Sequence, residues 1–365
     1  MQCTLRPMGE PDSSHEPLSF DDAAALLGGF RAGTAGDDLI PDPPLLVVQL
    51  GDTPANAGEA DPLRPPALLP CVVVAVSRAG AGMSAGPPPG GADIYLTDVG
   101  DATRPWVACS DLDDLRDLAA AVLRNPQAST TLAQVLRVHS GDVERDLVTE
   151  SLAYATLQGG LEHRSWLEAH RQHRPRAATD ENGTPAVRVT RSGETLDVLL
   201  DRPARRNAYS ARMRDELVAA LQLASSDPSI TAVRLRGNGP SFCSGGDLAE
   251  FGTVEDPATA HQIRATRSAG FHAHLVRDRL MPWVHGPCVG AGVELPAFAS
   301  RVSAAPGTTF RLPEVGMGLI PGAGGTVSLP RRIGRHRTAW LAITGCDLDA
   351  ETALRWGLVD RLDPP

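Results

Sequence analysis

Lysine is absent from this 365-residue chain; arginine supplies all of the fixed positive charge. That excludes Schiff-base chemistry on a lysine and the lysine of a phosphate-binding P-loop. Cysteine is scarce. Cys3, Cys71, Cys109, Cys243, Cys288 and Cys346 are scattered, and no two stand in a CxxC spacing. Such thiols fit reduced, buried residues in a cytoplasmic protein and exclude a disulfide framework. Long apolar runs are missing as well. The longest, near residues 66–76, is too short to span a bilayer, so no membrane partner is expected. The N-terminus carries acidic residues early and lacks a basic-then-apolar leader pattern. With a net charge of −10, the chain is not expected to bind nucleic acid.

What is present is an ordinary globular composition, 21% charged and 42% hydrophobic, long enough for two domains with real cores. Residues 1–110 read as a small α/β region. Within it 1–20 is irregular, 21–30 forms a short helix, and the β-branched runs 45–50 and 71–76 form strands. The Gly/Pro-rich stretch 79–91 reads as a loop. A helical region follows over 111–178. Leu115, Leu118, Ala119 and Val122 recur at helical spacing, Asn125-Pro126 divides the pattern, and it resumes over 142–170. The polar, turn-rich RPRAATDENGTP (174–185) marks a domain boundary. Beyond it, 187–190 and 196–200 alternate around Ser192-Gly193 as a hairpin. Ser210 caps a helix with Met213, Leu217, Leu221 and Ala224 inward, and 231–236 forms a strand. Strand–strand–helix units of this kind imply an α/β fold with crossover connections.

The chemistry concentrates in residues 283–326. Glu294 and Glu314 stand there among apolar flanks that offer neither an obvious cation, and such surroundings raise a carboxyl pKa towards neutrality. Gly290-Ala291-Gly292 follows a strand and opens a helix, a turn that presents backbone N–H groups able to stabilise an oxyanion. Two carboxyl groups and an oxyanion hole are the parts needed to move a proton beside a carbonyl.

Four segments, in order, resemble the crotonase (enoyl-CoA hydratase/isomerase) superfamily: DRPARRNAYS (201–210), SFCSGGDLAEF (241–251), HGPCVGAGVEL (285–295) and FRLPEVGMGLIPGAGGT (310–326). The resemblance covers 187–362. It implies a spiral of ββα units in residues 187–365 that assembles into trimers or hexamers and acts on an acyl-CoA thioester. The Gly246 and Ala291 amides would form the oxyanion hole, and Glu294 and Glu314 the acid/base pair. Ala208, Ser244 and Gly245 would line the CoA path, Arg205 or Arg206 would meet its phosphates, and Asp247 would brace the second loop. Gly322, with Gly324 and Gly325, either shapes the pocket floor or simply turns into a helix. The implied reaction is reversible hydration of a trans-2-enoyl-CoA, with no metal or redox cofactor, CoA being part of the substrate. The alternatives are isomerisation, ring cleavage, cofactor-free oxygenation of an aryl-acetyl-CoA, or a non-catalytic acyl-CoA scaffold.

The chain departs from the family pattern at four points, of which Ala291 in place of a common glycine matters little if only its N–H is used. Pro296 falls where the third-loop helix should continue and is expected to kink it. Ser300 replaces a usual acidic residue. The family continues for several helices beyond GLVDRLDPP, whereas 149–175 and NPQAS (125–129) loosely resemble that tail, so the helices of 111–178 are expected to do its work from the N-terminal side. Elsewhere the histidines give no metal-ligand pattern, and His163, His170 and His173 are expected on a solvated helix face. Cys243 and Cys288 are expected to pack, and Arg264, Arg267, Arg277 and Arg279 to form a solvated helix or lie near the CoA entrance.

Overall fold

In the computed structural model of the chain, residues 18–32, 44–50, 64–77, 91–109, 112–171 and 184–364 are described. The irregular start, most of the 79–91 loop and most of the 174–185 boundary lie outside them.

Helix α1 (Phe20–Ala32) precedes a parallel sheet of β1 (Leu45–Gln49), β2 (Val72–Ser77), β3 (Ile94–Thr97) and β4 (Val107–Ala108), in that order across the sheet. Both faces of this sheet are buried, which is why its strands read as continuous apolar runs. Leu46, Val48, Val73 and Tyr95 cluster with Ala23 and Leu27 of α1, while Leu45, Val47, Val74, Ile94 and Leu96 join the main core.

Four helices follow: α2 (Leu112–Arg124), α3 (Pro126–Arg137), α4 (Val143–Gln158) and α5 (Leu161–His170). Asn125 separates α2 from α3, Pro126 occupying the first turn where its missing N–H costs nothing. Asp142 caps α4 by accepting the Arg145 N–H.

The hairpin forms as expected. β5 (Val187–Ser192) and β6 (Thr195–Leu200) pair antiparallel around Gly193, whose φ of +59° suits the turn. Leu196, Val198 and Leu200 face inward. Ser210 accepts the Met213 N–H to cap α6 (Ala211–Ser226), which buries Met213, Leu217, Leu221 and Ala224. β7 (Ala232–Gly237) then lies parallel to β6. Next come α7 (Pro257–Thr266), α8 (Ala269–Leu275), β8 (Leu280–Val284), β9 (Pro287–Val289) and α9 (Ala291–Glu294). The chain continues through β10 (Ser303–Ala304), β11 (Thr309–Arg311), α10 (Gly325–Ile333), α11 (Arg335–Thr344), β12 (Leu348–Asp349), α12 (Ala350–Trp356) and β13 (Arg361–Leu362). The strands make a six-stranded sheet, β13-β10-β8-β7-β6-β5, and a three-stranded one, β12-β11-β9. The architecture is α/β.

Two packing relations position the site. α4 crosses both α7 and α10, and α11 packs on α2, α3 and β3. The helices before residue 171 are therefore continuous with the core that follows residue 184.

Candidate active site

The first component is a pair of main-chain amides. After β7 the chain returns as an extended loop, and Cys243 forms a parallel bridge with Cys288 of β9, the Val289 N–H donating to the Cys243 carbonyl at 3.0 Å. Gly246 and Ala291 each lie three residues beyond this bridge, so the two strands deliver corresponding positions to one place. Neither N–H has an acceptor among the described residues. Glycine is required at 292, because a methyl there would lie 2.2 Å from the Cys243 carbonyl oxygen. Burial pushes the Cys243 thiol up to about 12, as befits a packing residue.

Glu294 ends α9. Pro296 stops that helix after a single turn, and residues 296–298 continue as a 3-10 turn, so the expected kink is a termination. Ser300 donates to Asp278 at 2.6 Å. The short α9 aims the Glu294 carboxyl at the turn before α10. There Oε2 accepts from the Ala323 and Gly325 N–H groups, each at 2.8 Å. A side chain at Gly325 would strike this oxygen at 2.7 Å. Glu314 comes from the segment after β11, beside Gly290. A methyl at Gly290, where φ is +49°, would lie 2.4 Å from Glu314 Oε1. Glu314 Oε2 is buried without a hydrogen-bond partner among the described residues.

A third carboxyl group arrives from outside the four motifs. Glu150, on α4 and 2% exposed, takes the amides that Glu294 leaves. Its Oε1 accepts from the Gly324 N–H at 2.8 Å, and its Oε2 from the Thr326 N–H at 2.9 Å and the Thr326 hydroxyl at 2.7 Å. Four successive N–H groups, 323 to 326, thus alternate between Glu294 and Glu150, as free amides at a helix N-terminus can.

All three carboxyl groups line one cavity of about 530 Å³ together with Gly246, Asp247, Ala291, Gly322, Tyr154 and Arg264. Desolvation raises Glu294 to about 7, despite its two amide bonds. Desolvation and then the charge of Glu294 raise Glu150 to about 8. The same two causes push Glu314 well above the carboxylate range. Near neutral pH the group therefore holds protons and can exchange them.

This has a consequence for stability. The folded chain keeps protons on these carboxyl groups at pH values where the unfolded chain, with an ordinary glutamate value of 4.5, has lost them. The folded state binds more protons between about pH 4.5 and 8, so their contribution to stability falls as pH rises through that window. Urea midpoints measured from pH 5 to 8.5 should decline less steeply for Glu294→Gln than for the wild type. Equal slopes would contradict the raised value of Glu294.

Other candidates sit differently. Arg205, Arg206, Ala208, Ser244 and Gly245 are not in the cavity lining. Asp247 accepts from Arg202 at 3.0 Å and from Arg205 at 3.4 Å, so Arg205 is engaged within the protein. Gly322 touches the cavity, and its lack of a side chain admits the Tyr154 ring, which a methyl would meet at 2.3 Å. Two expectations are corrected. His163 is buried, not solvated, with Nδ1 2.9 Å from the Met317 carbonyl, because α5 turns that face onto residues 315–318. Arg264 and Arg267 also line the cavity, whereas Arg277 and Arg279 do not. Glu150 and Tyr154 lie in none of the four motifs, only in the stretch 149–175 that loosely resembles the family's tail, on a helix that also buries Val143, Asp146, Ser151, Ala155 and Leu157.

The chain is similar to several known proteins. The sequence profile of the family described as enoyl-CoA hydratase/isomerase matches residues 191–365. A 2,3-dehydroadipyl-CoA hydratase of Escherichia coli is 34% identical over 176 residues, 48% of this chain and 68% of the relative. A mevalonyl-coenzyme A hydratase of Aspergillus fumigatus is 32% identical over 167 residues, covering 46% of this chain and 62% of its own length. An enoyl-CoA isomerase/hydratase of Mycosarcoma maydis is 33% identical over 176 residues, 46% of this chain and 64% of the relative. The chain thus spans about two thirds of the relatives it matches. Among solved structures, an enoyl-CoA hydratase/isomerase from Mycobacterium abscessus aligns with a TM-score of 0.46 at 32% identity, over 49% of this chain and 71% of that one. From its four motifs and its relatives, the chain belongs to the enoyl-CoA hydratase/isomerase family of the crotonase superfamily.

Proposed function

We propose that the protein hydrates trans-2-enoyl-CoA thioesters reversibly by syn addition of water. The observation that carries this reading is the convergence on one cavity of Glu294 and Glu314 with the unclaimed amides of Gly246 and Ala291. The thioester oxygen would accept from both amides, each worth about 10²–10³ in rate once the oxygen becomes an enolate. Of the two acids, Glu294 is the more readily ionised. It takes a proton from water as the water oxygen bonds to C3, and the C2–C3 electron pair moves towards the thioester. Protonated Glu314 then delivers a proton to C2, and the charge on the oxygen collapses. No metal or redox group enters these steps. The names of the relatives, hydratases among them, agree with this chemistry.

The same proposal includes assembly as trimers or hexamers in the cytoplasm, and helices α2–α5 standing in for the family's C-terminal helices. Delivery of Glu150 and Tyr154 by α4 and of His163 by α5 to the cavity supports the latter. One observation favours a second reading. Two amides occupy Glu294 Oε2. If they hold Glu294 out of the proton transfer, Glu314 alone could shift a double bond, giving an isomerase.

Purified protein offered trans-2- and trans-3-enoyl-CoAs, and aryl-acetyl-CoA with oxygen, separates the readings. The expected product is 3-hydroxyacyl-CoA from the trans-2 series. Interconversion of the two enoyl series without hydroxyacyl product, or oxygen uptake, would replace the hydratase reading.

A further inference from the structure

We infer that the cavity wall formed by α4 and α7 binds a carboxylate at the distal end of the acyl chain, with Arg264 as its principal partner and Tyr154 as its second. This names the substrate class of the thioester site and rests on the acyl-CoA reading above.

The guanidinium of Arg264 lies over the Tyr154 ring, Cζ 4.3 Å from the centroid. Its neutral contacts are long: Nε to Ser151 Oγ at 3.4 Å and Nη1 to Gln158 Oε1 at 3.2 Å. Nη2 is buried and has no acceptor. Among the described residues no carboxylate pairs with this side chain, and the nearby acid of α4, Glu150, has both oxygens taken by Gly324 and Thr326. Arg267, the residue that follows α7, is the contrast: its side chain is exposed and pairs with Asp215 at 2.5 Å. The Tyr154 hydroxyl has no partner among the described residues either.

A cation drawn into a cavity loses hydration, and the Tyr154 ring with two neutral contacts offsets only part of that loss. A guanidinium fork with idle N–H groups suits a carboxylate, which accepts two parallel hydrogen bonds. The phenol beside it adds a donor. The wall stands on the acid side of the cavity, because α4 also carries Glu150, which shares its turn with Glu294. Tyr209, Ser210, Gly246 and Asp247, from the segments resembling CoA-contacting loops, line the same cavity from elements other than α4 and α7. The place of the wall beside the acids points to the acyl terminus, and free CoA is the control for a phosphate.

Calorimetric titration of the full chain tests this with saturated ligands that need no turnover. Hexanoyl-CoA is compared with adipyl-CoA, the matching eight-carbon pair is run alongside, and free CoA serves as the phosphate control. The carboxylate-ended ligand of at least one pair should bind about 10–100-fold more tightly than its methyl-ended partner. Arg264→Leu should abolish that preference while changing the methyl-ended ligand and free CoA by less than about threefold, well under one charge-assisted hydrogen bond. Tyr154→Phe should lower it by a smaller factor, and it carries the test alone if Arg264→Leu does not fold. Wild-type protein without the preference at either length overturns the proposal. So does an Arg264→Leu protein that weakens free CoA equally, which would assign the arginine to a phosphate. Hydration of the trans-2-enoyl forms is assayed separately, so failure of hydration with the preference intact sinks the hydratase reading and leaves the subsite standing.

Discussion

Glu294→Gln and Glu314→Gln are each expected to lower kcat for trans-2-enoyl-CoA hydration by about 10²–10⁴-fold, the range for loss of one positioned acid or base. Binding of saturated acyl-CoA should be nearly unchanged. The glutamine at 294 can keep the fold, because its amide oxygen can accept from Ala323 and Gly325 as Oε2 now does. What it loses is an ionisable group at about 7 facing the cavity. At 314 the loss is of a group that holds its proton well above the carboxylate range and has an unpartnered buried oxygen to present. The double variant should fall little below the worse single one, since both act in one proton transfer. Stopped assays of product, with isothermal binding as the control, check this. A single variant retaining more than a tenth of wild-type turnover would remove that residue from the chemistry.

Glu150→Ala is expected to be the most damaging substitution outside the four motifs. It strands the Gly324 and Thr326 N–H groups and the Thr326 hydroxyl in the interior. At about 1–3 kcal/mol per orphaned group, partly relieved by water entering the space, the loss is on the order of 3–5 kcal/mol. The melting temperature should fall by about 5–15 °C. Glu150→Gln should also destabilise, because its NH₂ would face an N–H donor. Activity should fall with stability. The amides held by Glu150 interleave with those held by Glu294, so a turn that relaxes carries Glu294 out of line, and about 1 Å of displacement can cost about 10² in rate. Glu150 is thus a positioning residue. Its distinctive readout is the split between kcat and KM: in Glu150→Gln kcat should fall while KM for the enoyl-CoA changes little, because a displaced Glu294 leaves the binding surfaces in place. An unchanged kcat together with an unchanged melting temperature would contradict this role.

Much of the site was written in short-range sequence. Gly246, Ala291, Glu294 and Glu314 stand in glycine-rich turns whose conformation few other residues allow, and that local requirement carries the signal. The hairpin at Gly193, the Ser210 cap and the division at Asn125-Pro126 were legible for the same reason, each being decided within a few residues. Pro296 was legible as a disturbance but not in its extent. Whether a helix bends or stops depends on what covers its freed groups, and here a 3-10 turn ends it.

The sequence alone determined an α/β chain without lysine chemistry, and named two glutamates and two amides that come to line one cavity. Only the tertiary structure decided how α4 and α5 pack, and with it that Glu150, Tyr154 and His163 face the cavity while Arg264 has no ion-pair partner among the described residues. Helical periodicity fixes which residues share a face, but not which distant surface that face meets. The amides of residues 323–326 come into reach of Glu150 over 170 positions away only once the helices have packed.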